Sequence, residues 1–227
     1  VGEMHADSTF SITSFTTFAN RVAATGDRTT LRAHVDSYHD GTAGTGVKIE
    51  VTGGSNMQAL KAQSSTQAFA FEWLECTSTI QDNWYAIYMN GSPNSPVSAV
   101  KNCILHSIDT SDGCWTIQVS DTCNVLNNLI YDITQVTSGN GNPYGIRLSL
   151  TSTEDVNVVN NTIHGIGCTH ASSGCNPRGI FVDDQADTNY YNNLVTGTYT
   201  DGTGGAQDWS DTFIGNAGAE SNASSDT

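Results

Sequence analysis

Positive charge is scarce in this 227-residue chain: 8 Lys and Arg stand against 23 Asp and Glu, a formal net charge of -15. Nucleic-acid affinity depends on Lys and Arg neutralising phosphates, so that composition excludes nucleic acid as a partner. It also disfavours long polyanions such as pectate or alginate unless a local basic groove exists. Proline is rare as well, with four residues, which speaks against a Pro-rich disordered chain. No apolar run approaches the roughly 20 residues of a membrane span. No signal peptide is visible, and the chain starts at Val1, which reads as a processed product or a piece of something longer. The six Cys include no CxxC pair, which removes the usual zinc framework, so no metal ligands are assigned. No GxSxG elbow, P-loop or HExxH is present.

What the chain has in quantity is Gly, Asn, Ser and Thr, the residues of tight turns. Against that background an internal repeat stands out. Val100-Lys-Asn102-Cys-Ile-Leu105, Val125-Leu-Asn127-Asn-Leu-Ile130, Val158-Val-Asn160-Asn-Thr-Ile163 and Tyr190-Tyr-Asn192-Asn-Leu-Val195 align without gaps. Phe71-Glu-Trp73-Leu-Glu-Cys76 reads as a degenerate earlier copy. The Asn intervals are 25 (102 to 127), 33 (127 to 160) and 32 (160 to 192) residues. Between copies falls a second motif: Tyr85-Ala-Ile87, Trp115-Thr-Ile117, Tyr144-Gly-Ile146 and Arg178-Gly-Ile180, each with another apolar residue two positions on. That spacing is the period of a strand with one buried face.

Units of this length built from short strands predict an all-β solenoid, a right-handed parallel β-helix of about five or more coils. Equivalent residues then stack about 4.8 Å apart. Ile87, Ile117, Ile146 and Ile180 form one inward column, and Leu105, Ile130, Ile163 and Val195 another. Asn102, Asn127, Asn160 and Asn192 are expected to face inward as a hydrogen-bonded ladder. The V-x-N-N-x-I and G-I-x-V elements resemble the pectate-lyase-like parallel β-helix superfamily over roughly residues 69–200. Its members include polysaccharide lyases, polygalacturonases, tailspikes and uncharacterised secreted or phage-borne proteins. His39-Asp-Gly-Thr-Ala-Gly-Thr-Gly-Val47 is similar to the lead-in of such proteins.

The expected organisation is an N-terminal cap over residues 1–45, the β-helix over 46–200, and a tail or incomplete coil over 201–227. Within the cap, Phe15, Phe18 and Val22 share a helical face between Ser14 and Gly26, predicting a short helix over about 14–25. A strand over about 31–38 follows. The C-terminal end carries no amphipathic cap, so it is expected to meet further coils or another copy of the chain. Cys168 and Cys175 bracket a short loop and are the disulfide candidates, which favours an extracellular, cell-surface or virion-surface setting.

Chemistry is less legible. An enzyme of the resembled superfamily implies either a basic residue that abstracts a proton or paired carboxylates. Arg147 serves the first, with a calcium ion; Asp183 and Asp184 serve the second, with Asp121 two coils away from Asp184 at about 9.6 Å. Asp187 lies near enough in sequence to join Asp183 and Asp184 around a calcium ion. Tyr85, Trp115, Tyr144 and Arg178 occupy the position two before each strand Ile. They predict an aromatic column ending in a cation over Tyr144, a surface suited to stacking on sugar rings. The leading expectation is a non-catalytic structural, adhesive or filament-forming module with a capacity for glycan. A carbohydrate-active lyase or hydrolase is the alternative.

Overall fold

Each repeat folds into three short strands, and each strand pairs in parallel with its counterpart one coil away. The structure is a computed structural model and describes residues 1–7, 9–14, 16–19, 27–53, 57–64, 67–79, 84–90, 97–137, 141–150, 154–170, 175–183, 187–200, 207–209, 218–220 and 223–224. Three sheets result. The first runs through eight strands from Gly2–Met4 to Gly218–Glu220. The second runs from Phe10–Ile12 to Ala223–Ser224, and the third through seven strands from Thr16–Ala19 to Gln207–Trp209. A central coil uses Cys123–Leu126, Leu129–Gln135 and Tyr144–Leu148, one strand per sheet. This is a parallel β-helix.

The register is the one the repeat implies. Ile87, Ile117, Ile146 and Ile180 are Cα partners in the third sheet, and Leu60 extends their column. Leu105, Ile130, Ile163 and Val195 are partners in the second sheet. Val100, Val125, Val158 and Tyr190 form a third column in the first sheet, preceded by Phe71, so the degenerate copy is a genuine coil. All these side chains are buried. Stacking aliphatic on aliphatic through the axis gives one continuous core, which no single coil could make alone.

The Asn ladder exists, but one residue further along than the sequence reading placed it. Asn102, Asn127, Asn160 and Asn192 have φ of 55°, 55°, 56° and 53° and turn the chain at the corner between the first and second sheets. Asn tolerates that left-handed backbone better than other residues with a side chain. The inward amides belong to Asn128, Asn161 and Asn193, all essentially without solvent exposure. The Asn161 Oδ1 accepts from the Asn128 backbone N–H and its Nδ2, both at 3.0 Å, while the Asn161 Nδ2 donates to the Val125 carbonyl at 2.9 Å. Asn193 treats Asn161 and Val158 likewise. One coil before the ladder, the Cys103 thiol donates to the Phe71 carbonyl in place of an amide. Burial pushes that thiol up to about 12, so it stays protonated.

A second correction concerns the N-terminus. The helix expected over 14–25 does not form across Thr16–Ala19, which is a strand paired with Met57–Gln63. Residues 20–26 lie outside the described residues. The ready-made edge of the third sheet supplies backbone partners, Thr16 and Thr17 favour extended structure, and Phe18 packs edge-on against Phe71 at 5.5 Å. The following strand spans Arg28–Ala33 and gives way to a 3-10 turn at Val35–Ser37. That segment then lies across the first corner, with Tyr38 stacked on Trp73 at 4.5 Å and the His39 Nε2 2.7 Å from the Asn102 carbonyl. Residues in the expected tail contribute strands to all three sheets.

The expected Cys168–Cys175 disulfide is present, while Cys76, Cys103, Cys114 and Cys123 are buried free thiols. Among the described residues no helix is long and apolar enough to cross a membrane.

Candidate functional site

The outer face of the third sheet gathers most of the unusual side chains. Each of its central strands begins with a large residue, then a small one, then the buried aliphatic of the core column. The small residue explains why the large one faces out. At Gly145, a Cβ would come within 2.8 Å of the Ile163 Cγ2 and 2.6 Å of the Gly179 carbonyl, so the backbone itself fills the corner. Ala86 and Thr116 hold that place in the two preceding coils, both buried. Tyr85 and Trp115 are left half-buried at the surface, and Tyr144 is covered.

Tyr85 meets Trp115 edge-on at 4.9 Å, and Tyr144 stacks on Phe181 at 4.7 Å and is itself nearly buried. The cation above the rings is Arg147, with its guanidinium 3.9 Å from the Trp115 ring centre and 5.9 Å from that of Tyr144. The sequence reading gave that role to Arg178, whose Nη1 donates to the Pro177 carbonyl at 3.3 Å. Arg178 does align with Tyr144 in register, but the guanidinium over the rings comes from Arg147.

The same guanidinium is ion-paired with Asp183: Nε donates to the Asp183 Oδ2 at 2.8 Å, and Nη2 bonds to the same oxygen. The cation named for a lyase and one of the carboxylates named for a hydrolase are thus partners of each other. Asp184 lies outside the described residues, and of Asp187 only the backbone, in the first sheet opposite Asp155, is described. The Asp121 Oδ1 accepts from the Thr122 backbone N–H at 2.7 Å, an arrangement that shapes a turn. Of the carboxylates named for catalysis, Asp183 thus stands in a salt bridge and Asp121 in a turn, and Asp184 lies outside the described residues. Cys168, His170 and Cys175 each bring a ligand atom within 4.8 Å of the others, but both sulfurs are joined to each other.

Two members of this face escaped the sequence reading. Tyr88 sits 5.7 Å from Tyr85, under Lys61 at 5.4 Å, and its hydroxyl accepts from the Asn90 Nδ2 at 3.1 Å. Gln118 stands between Tyr88 and Arg147 in register and is 7% exposed. Its Nε2 donates to the Ser120 Oγ at 3.3 Å, yet its Oε1 is buried with no hydrogen-bond partner. A buried amide oxygen without a donor carries a penalty that a bound hydroxyl would relieve. The signal was available: a Gln in a strand whose neighbouring coils offer Tyr and Arg at the same register.

No family model, no curated protein and no solved structure matches the chain.

Proposed function

We propose that this parallel β-helix is a structural and adhesive module of an extracellular surface or particle, and that the outer face of its third sheet holds neutral glycan. The observation that carries this reading is the unpartnered Gln118 Oε1, buried beside Tyr88 and Arg147 and close to the Trp115 platform. Sugars present apolar ring faces and hydroxyl rims, and such surfaces are met by aromatic planes with amide and ion-pair hydrogen bonders beside them. The pairing of Arg28, Arg32, Lys48, Lys101 and Arg147 with carboxylates supports a neutral ligand over an acidic one. The resemblance to the pectate-lyase-like superfamily and to its secreted or phage-borne members belongs to this proposal, as does the extracellular or virion-surface location.

Titration of neutral oligosaccharides, followed by calorimetry and tryptophan fluorescence, tests it. Saturable binding that disappears in Gln118→Ala and in Trp115→Ala is expected, with no release of reducing ends or unsaturated products. A panel that produces no saturable binding sinks the glycan reading. Depolymerisation lost in Asp183→Asn would instead favour the carbohydrate-active alternative.

A second feature supports assembly. The outermost strands of each sheet, Gly2–Met4, Phe10–Ile12 and Thr16–Ala19 at one end and Gln207–Trp209, Gly218–Glu220 and Ala223–Ser224 at the other, have one paired neighbour apiece among the described residues. Such parallel edges accept further coils or another copy, and head-to-tail pairing of copies gives an open filament when the rotation does not close. Light scattering across a concentration series should reveal growing species; a monodisperse monomer throughout removes this part of the proposal.

A further inference from the structure

On the second sheet, away from the glycan face, three side chains from two neighbouring strands line up as hydroxyl, imidazole and carboxylate. Glu75 is 1% exposed. Its Oε1 lies 2.9 Å from the His106 Nε2, and its Oε2 accepts from the Gly44 backbone N–H at 2.6 Å. Burial opposes its charge, but the bonds from His106 and Gly44 and the nearby Lys48 outweigh it and hold its carboxyl below the ordinary range. An ionised carboxylate only accepts, so the His106 Nε2 carries a proton, and in the neutral imidazole Nδ1 then presents a lone pair. That lone pair is 2.9 Å from the Ser107 Oγ. The imidazole is fixed from a further side by Tyr131, stacked at 5.0 Å and 8°. Its side chain remains 12% exposed, and Ser107 is exposed.

The backbone makes Ser107 conspicuous. Its φ is 52°, and the same left-handed position is filled in the next coils by Asp132 (φ 54°), Gly165 (φ 67°) and Gly197 (φ 69°). Gly and Asp are the residues such a site suits; Ser fits it less well. Of the four, only Ser107 brings a hydroxyl to an imidazole already oriented by a buried carboxylate.

We propose that Ser107 is an activated nucleophile and that this surface hydrolyses small uncharged carboxylic esters. The Ser107 Oγ attacks the carbonyl carbon as its proton passes to the His106 Nδ1, and Glu75 stabilises the imidazolium. The ester C–O bond breaks, and the Nδ1 proton leaves with the alcohol. Water then attacks the acyl-Ser107 bond, giving its proton to Nδ1, which returns it to Oγ as the acid is released. The sum is ester plus water to acid plus alcohol. Asp109 and Asp132 on the same strands, with the net charge of -15, favour neutral esters over anionic ones.

The test is reaction of the whole protein with a fluorophosphonate probe, with adducts mapped by mass spectrometry, alongside hydrolysis of 4-nitrophenyl acetate. A single adduct on Ser107 is expected, with labelling slowed by about 100-fold in His106→Gln. Ser107→Gly is the informative control, because Gly occupies this φ without strain and keeps the coil folded while removing the hydroxyl. Loss of both labelling and esterolysis in Ser107→Gly supports the proposal. A wild-type rate equal to that of Ser107→Gly, adducts scattered over other hydroxyls, or an unchanged rate in folded His106→Gln would each overturn it. Sugar binding at Gln118 is read separately, so either proposal can fail alone.

Discussion

The corner between the first and second sheets and the outer face of the third sheet are built by opposite rules. At the corner, successive coils repeat themselves: Asn127, Asn160 and Asn192 make the turn, and Asn128, Asn161 and Asn193 fill it. On the outer face, one register position reads Lys61, Tyr88, Gln118, Arg147 and Phe181, with no type repeated. In a stacked fold, sameness along the axis marks a residue that holds neighbouring coils together. Difference along the axis marks one released from that duty, and the unusual chemistry of this molecule lies at such positions.

That contrast can be broken from its most costly side first. Ile146→Asp or Ile180→Asp puts an unpaired charge into a fully buried column, a loss beyond about 4 kcal/mol. Circular dichroism should show an unfolded or aggregated chain, and a variant with the wild-type melting point would remove the register described above. Asn161→Ala comes next. It strips the acceptor from two Asn128 donors and the donor from the Val125 carbonyl, so urea unfolding should lose about 3 kcal/mol. Asn160→Ala, one residue earlier, should lose about 1 kcal/mol through backbone conformation alone. Asn160→Gly should be near neutral. If Asn160→Ala costs more than Asn161→Ala, the inward and turning roles are exchanged.

The smallest effect is electrostatic. Glu75 has its folded-state pKa below the ordinary 4.5, so it adds stability above that pH and loses it as pH falls through the folded value. Acid unfolding of Glu75→Gln should therefore be flatter below pH 4.5 than that of the wild type, with the curves becoming parallel above it. Parallel curves throughout would mean that the bonds from His106 and Gly44 do not favour the charged form.

The architecture was legible because period-2 alternation and a fixed phase between two motifs leave little else to build. The ladder was misplaced by one residue because an Asn-Asn pair does not say which member turns and which points inward. The earlier coils hold the answer: the second position there is Leu74 and Cys103, both buried, while the first, in the coil of Phe71, is Trp73, only partly buried and in the same left-handed conformation. The terminal helix failed because three apolar residues at helical spacing compete with a sheet edge that sequence does not display. The Arg147–Asp183 bridge and the orphaned Gln118 oxygen depend on side-chain reach between coils, which register alone does not fix. The relay through His106 was hidden for a related reason, since Glu75 and His106 are 31 residues apart and only stacking makes them neighbours.

The amide ladder has a direction. The backbone N–H of Cys103 is satisfied by the Asn128 Oδ1, that of Asn128 by the Asn161 Oδ1, and that of Asn161 by the Asn193 Oδ1. At these three corners the acceptor for that N–H comes from the coil that follows in the chain. During synthesis from the N-terminus, the newest coil therefore waits with an open donor until its successor has been made. Winding is in that sense ratcheted by translation. Each turn is completed by the next, and a stall midway leaves a corner that water, a chaperone or a neighbouring nascent chain must occupy.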